Sequence, residues 1–192
     1  MDRATMQDAV RSFLEALDQR FDGDDQDRTP ERVVRAWSED LVAGYAVDPA
    51  GELTWSETPD GCGPVLVRRI RFASMCVHHL LPFFGYANIA YLPGRRLAGL
   101  SKVGRVVDGY ARRLQTQEHL SAAIVSTLAR VLEPRGVIAL LDAEHTCMTL
   151  RGVRKDQSRM TTIASAGLYE EDPAERREIV QLLHGMSSGT NG

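Results

Sequence analysis

The sequence predicts an α+β protein built on a mainly antiparallel sheet, and two observations carry that reading. Apolar runs of strand type fall in two groups, at residues 65–92 and 137–168, and two consecutive helical patterns lie between them with no regular βαβα alternation. One face of such a sheet needs helices over it. Its edges need pairing or blunting, so assembly with further copies of the chain is expected. With 192 residues, 43% hydrophobic and 26% charged, the chain can bury a core as one domain, which excludes disordered, fibrous and disulfide-dense classes. The net charge of -3 provides no bulk attraction to nucleic acid or an acidic membrane, so neither partner is expected and any anion site must be local. No run reaches the roughly 18 apolar residues of a membrane span, and no basic flank precedes an apolar segment near the start, so a cytoplasmic location is expected.

Met6, Val10, Phe13, Leu14, Leu17 and Phe21 recur at helical spacing and predict an amphipathic first helix, followed by an acidic break at residues 22–27. Thr29 is placed as the N-cap of a second helix, with Pro30 at its first position and Val33, Trp37, Leu41 and Tyr45 along one face. Proline and glycine between Pro49 and Pro64 predict a loop holding Cys62, read as an ordinary thiol. Residues 65–72 and 83–92 have strand composition. Ser101 is placed as the cap of a helix reaching about Leu114. Thr116 caps another that carries Leu120, Ile124, Leu128 and Leu132 and stops before Pro134. Residues 137–142 and 146–153 are expected to form a second strand pair and 160–168 a fifth strand, with a final helix opening at Pro173.

Three cysteines at wide spacing are too few for a disulfide framework, and reduced thiols or thiolate ligands fit better. Cys76-Val77-His78-His79 places a thiol and two imidazoles within four residues, and His145-Thr146-Cys147 repeats the pairing. Cys76, His79 and Cys147 can supply two thiolates and one imidazole to zinc, with a fourth position open as in catalytic sites. Read from spacing alone, the cysteines could instead form a disulfide or be buried thiols, and histidines are often structural. In extended chain, residues i and i+2 share a face, which would set His145 beside Cys147 and His78 beside Cys76 as proton carriers. Ser101, Lys102 and Arg105 at a helix start, with Arg151 and Arg154, suit a polyphosphate, although most cations are simply solvated. Gln117-Glu118 could hydrogen-bond a planar, donor-rich base such as guanine, since a carboxylate accepts from two adjacent N–H groups, although a lone pair of polar residues is more often helix surface.

These segments together are recognisable. Ser74-Met75-Cys76-Val77-His78-His79-Leu80, Gly99-Leu100-Ser101-Lys102 with Arg105, Gln115-Thr116-Gln117-Glu118, and His145-Thr146-Cys147 through Arg151-Gly152-Val153-Arg154 resemble the GTP cyclohydrolase I family. The likeness runs from about Thr29 to Gly167, where Thr29-Pro30-Glu31-Arg32 is similar to the family's helical Thr-Pro-x-Arg element. The resemblance implies a tunnelling fold, with residues 1–48 as a helical region and 49–192 as the catalytic domain. It implies a homodecamer of two pentamers with active sites between subunits. It also implies zinc on Cys76, His79 and Cys147, and proton transfer by His78 and His145 during attack of water at C8 of GTP. Lys102, Arg105, Arg151 and Arg32 would hold the triphosphate, Gln117 and Glu118 the guanine, and Ser101 the ribose. The implied products are formate and 7,8-dihydroneopterin triphosphate.

Three departures stand against the family pattern. Val77 replaces the usual Glu between Cys76 and His78, His119 replaces the usual Arg after Gln-Glu, and the Thr-rich run near the end reads Ser158-Arg159-Met160-Thr161-Thr162-Ile163, with Ala166-Gly167 where Gly-Gly is common. The alternative is therefore a diverged paralogue that opens the imidazole ring of GTP or a related purine nucleotide but releases an earlier or different product. A metal-binding subunit without turnover is opposed by the retained His78 and His145.

Overall fold

The computed structural model describes residues 1–17 and 25–184, so the expected extension of the first helix to Phe21, and the acidic residues before Asp25, lie outside the described residues. Helix α1 (Arg3–Ala16) opens where Asp2 accepts from the Thr5 N–H at 3.1 Å and from its hydroxyl at 2.7 Å. The helical period is present, yet no α1 side chain is buried and Phe13 is 63% exposed.

Thr29 does not cap the second helix. Helix α2 (Asp25–Ala36) is already formed at Asp25, with Asp25 and Asp27 favourably placed in its first turn, and Pro30 lies inside it. Pro30 is buried, so packing of the ring offsets the helix hydrogen bond that its missing N–H forfeits. A π-helical turn (Trp37–Leu41) and a 3₁₀ turn (Ala43–Ala46) follow. Gly44 in the latter must lack a side chain: a Cβ there would lie 2.5 Å from the Gly109 carbonyl oxygen, and its own N–H donates to the Arg112 carbonyl at 2.9 Å.

Within the proline- and glycine-rich stretch read as loop, β1 (Trp55–Glu57) forms a small antiparallel ribbon with a strand beyond the first hairpin. That hairpin is β2 (Val65–Cys76) and β3 (Pro82–Leu92), paired from Val65↔Tyr91 to Met75↔Pro82 with a register shift between Val67 and Ile70. The partner of β1 is β4 (Arg96–Ala98). Helix α3 (Leu100–Ala111) follows Gly99 as N-cap, and no side chain caps it, so Ser101 is inside the helix rather than its cap. A two-residue strand β5 (Leu114–Gln115) runs parallel to the end of β2. Helix α4 (Gln117–Leu132) begins as expected at Thr116, whose hydroxyl accepts from the His119 N–H at 3.2 Å.

Strand β6 (Gly136–His145) is longer than the sequence predicts, and residues 146–153 are not its partner strand. The chain instead coils into α5 (Thr146–Thr149), because the Thr146 hydroxyl donates to the Pro82 carbonyl at 2.6 Å while the Thr146 carbonyl accepts from the Leu150 N–H at 2.9 Å. The true partner of β6 is β7 (Met160–Gly167), followed by the short α6 (Leu168–Glu171) and by α7 (Pro173–His184), which opens at the predicted proline.

The strands form one five-stranded sheet in the order β5-β2-β3-β6-β7, antiparallel except at β5. Val103, Val106, Val107, Leu120, Ile124 and Leu128 of α3 and α4 pack with Phe72, Ile89, Val137 and Leu141 to make the main core. A smaller core of Ala90, Ile138, Leu140, Tyr169, Ile179 and Leu183 lies under α7. The chain is thus α+β with a helix pair on the main-core face of an antiparallel sheet, the arrangement of a tunnelling-fold unit. Antiparallel register brings the end of β2, the start of β3, the end of β6 and the start of β7 to one end of the sheet, and the chemistry collects there. No helix among the described residues is long and apolar enough to cross a membrane.

Candidate active site

Cys76 is the last residue of β2 and is buried, and the chain then turns sharply through residues 77–81 before β3 starts. The turn is closed by hydrogen bonds from the Leu80 N–H to the Cys76 carbonyl and from the Cys76 N–H to the Leu81 carbonyl, both 2.9 Å. His79 is thereby folded back over Cys76, with Nδ1 3.8 Å from Sγ. Cys147 arrives from α5, and the candidate ligand atoms of Cys76, His79 and Cys147 all lie within 4.8 Å of one another. Four-coordinate zinc holds sulfur at about 2.3 Å and nitrogen at about 2.0–2.1 Å, so its ligand atoms stand on the order of 3.5–4 Å apart. The three side chains fit such an ion with little rearrangement. Burial and the neighbouring Cys76 sulfur raise the Cys147 thiol above its ordinary range.

His145 reaches this end of the sheet as the last residue of β6, opposite Phe83 of β3. The two rings stack at 4.6 Å with 4° between their planes. Nε2 of His145 lies 2.8 Å from Oε1 of Gln117. The other side of that amide settles the hydrogen: Gln117 Nε2 donates toward the Leu141 carbonyl at 3.0 Å, the Met160 carbonyl at 2.9 Å and the Thr162 hydroxyl oxygen at 3.2 Å. With its nitrogen committed to acceptors, Gln117 presents only oxygen to the imidazole, so His145 carries its hydrogen on Nε2 and leaves Nδ1 to accept a proton. Burial lowers the His145 pKa, partly opposed by the Glu118 charge, and keeps the ring neutral over a wider pH range.

The Gln117 side chain is 0% exposed and is hydrogen-bonded at both ends to the protein itself, which orients His145. Glu118, the next residue, is exposed, and its charge acts on His145. The proposed extended relation between His145 and Cys147 fails, because helical chain starts between them. His78 is exposed, its ring 6.2 Å from that of His79.

The cations divide. Arg151 is exposed and close enough for its charge to act on Cys147. Ser101, Lys102 and Arg105 share the first turns of α3, Ser101 being exposed, but Arg105 donates to Glu52 at 2.8 Å. Arg32 donates to Asp25 at 2.8 Å within α2 and is not brought to the cysteine cluster by any contact of the described residues. The sequence does not single out Phe83 or Glu52, and it shows Gln115 only as part of the Gln115-Thr116-Gln117-Glu118 segment. Gln115 takes the Val77 N–H on its carbonyl at 3.0 Å and faces His119 Nδ1 at 2.6 Å, fixing the turn that carries the histidines. Nothing local marks these residues, since each acts through a pairing distant in sequence.

A thiol–imidazole–thiol cluster with an oriented histidine at one end of an antiparallel sheet makes an α+β site that could hold a metal ion. The GTP cyclohydrolase I family model matches residues 6–184. The chain is 40% identical over 183 residues to GTP cyclohydrolase 1 of Deinococcus radiodurans, a match covering 94% of this chain and 83% of the relative. It is 43% identical over 188 residues to that of Rhodopirellula baltica, covering 98% and 82%, and 42% identical over 189 residues to that of Brevibacillus brevis, covering 95% and 98%. Among solved structures, an archaeosine synthase QueF-Like in the apo form is similar over 56% of this chain and 97% of its own, with TM-score 0.46 and 15% identity. The chain belongs to the GTP cyclohydrolase I family.

Proposed function

We propose that the chain hydrolyses GTP at C8, opens the imidazole ring and rearranges the product to 7,8-dihydroneopterin triphosphate with release of formate. Family membership gives the reaction class, and the observation that carries the chemistry is the meeting of Cys76, His79 and Cys147 at the sheet end where Gln117 orients His145. Zinc is the ion these residues would hold, since two thiolates and an imidazole form a borderline-soft donor set. When bound it supplies Lewis-acid activation of water. His145 accepts or delivers a proton through Nδ1, held in place by Phe83 and Gln117. His78, on the exposed turn beside the cluster, is the second proton carrier. Glu118 takes the guanine edge, Ser101 the ribose, and Lys102, Arg105, Arg151 and Arg32 the triphosphate.

The working form is a homo-oligomer, proposed as two face-to-face pentamers with sites between subunits. In support, the outer edge of β2 is paired only at Met75 and Cys76, the outer edge of β7 has no strand beside it among the described residues, and α1 leaves Phe13 exposed.

Lys102→Ala and Arg151→Ala each remove a charge-assisted contact of about 1.5–3 kcal/mol, so GTP affinity should fall roughly 10- to 150-fold while guanosine binding stays near wild type. Calorimetric titration with both ligands checks this, and equal losses on GTP and guanosine refute the phosphate assignment.

Val77 favours a second reading, release of an earlier ring-opened product. It follows the ligand Cys76, its side chain is apolar, and it is 44% exposed at the site. Val77→Glu separates the two. If the wild type accumulates a formamide and the variant converts it to formate, the second reading holds; formate and dihydroneopterin triphosphate formed alike by both remove it.

A further inference from the structure

The loop before β1 is built to place one carboxylate. Asp48 accepts from the Ala50 N–H at 3.1 Å through its side chain and from the Glu52 N–H at 3.2 Å through its carbonyl, while Leu53 is buried in the main core. Between these two anchors Glu52 projects onto the first turns of α3, where its carboxylate accepts from Arg105 Nη1 at 2.8 Å. The Arg105 hydrogen bond, joined by the charges of Arg105 and Lys102, holds the Glu52 carboxyl below the usual carboxylate range. The pair borders a cavity of about 280 Å³ that Gly44, Val47, Asp108 and Arg112 also line. Glu52 is therefore the anion resident beside two of the cations assigned to the triphosphate.

We propose that Glu52 is an affinity-setting residue that competes with the substrate's polyphosphate for Arg105, so that a triphosphate docks by exchanging one anionic partner of Arg105 for another. The inference rests on the assignment of Lys102 and Arg105 to the triphosphate. The exchange keeps Arg105 charge-paired in the empty site and weakens retention of a product that still bears its triphosphate. If Glu52 served instead to hold Arg105 in its binding orientation, its removal would have the opposite sign.

The test is calorimetric titration of the full chain with inorganic tripolyphosphate, and separately with guanosine, at low salt where exposed pairs are least screened. An exposed ion pair of this kind corresponds to roughly a two- to fivefold factor. Glu52→Gln and Glu52→Ala should therefore tighten tripolyphosphate binding by about that factor, leave guanosine unchanged, and lose the gain as salt rises. Arg105→Ala should weaken tripolyphosphate. Unchanged or weaker binding in both Glu52 variants, with Arg105→Ala still weakened, overturns the competition and leaves the phosphate assignment standing. Binding of tripolyphosphate that is indifferent to Arg105→Ala overturns both.

Discussion

His145→Ala should lower turnover by about 10²–10⁴-fold while metal content and GTP affinity remain close to wild type, because a placed proton carrier contributes on that order to rate and little to ground-state binding. The ring is held by two independent contacts, the Phe83 stack at 4.6 Å and the Gln117 hydrogen bond at 2.8 Å. Loss of orientation alone should therefore reproduce part of the effect. Gln117→Leu keeps the volume roughly constant but deletes the acceptor for Nε2–H, and kcat should fall more than KM rises. Single-turnover kinetics with GTP, alongside metal analysis, checks both variants. If His145→Ala strips the metal instead, His145 is a ligand and its role as proton carrier is wrong.

Cys147→Ser should remove most of the metal and with it nearly all turnover. The ion would be held by three protein side chains, so replacing a thiolate with a hydroxyl leaves two strong donors and an incomplete set. Metal analysis of the purified protein should give about one zinc per chain in the wild type and far less in the variant. The alternative open from spacing alone is a Cys76–Cys147 disulfide. Both are free thiols here, and retention of activity after mild oxidation had joined them would exclude the ligand assignment.

Much of this site is legible in the sequence because its parts are local. Cys76 and His79 lie three residues apart in one turn, and Thr116 announces the start of α4 by a side-chain cap that depends only on its neighbours. What escaped depends on pairing across the fold. Gln117 looks like a surface residue at a helix start, and only the arrival of Leu141, Met160 and Thr162 shows it to be the support of His145. Cys147 meets Cys76 by a route the strand reading did not contain, since Thr146 ends β6 by bonding to Pro82. Ser101 has a capping side chain, but Gly99 takes the N-cap position and leaves Ser101 exposed in the first turn. Thr29 and Pro30 together make an orthodox helix start, and burial of Pro30 within a helix formed by Asp25 overrode it.

The most direct measurement is mass spectrometric identification of the products after incubation of the zinc-loaded wild-type protein with GTP, with formate quantified in the same reaction. The predicted result is 7,8-dihydroneopterin triphosphate and formate in equal amounts, both abolished by Cys147→Ser. Ring-opened purine without formate, or GTP recovered intact from a metal-replete protein, would contradict it.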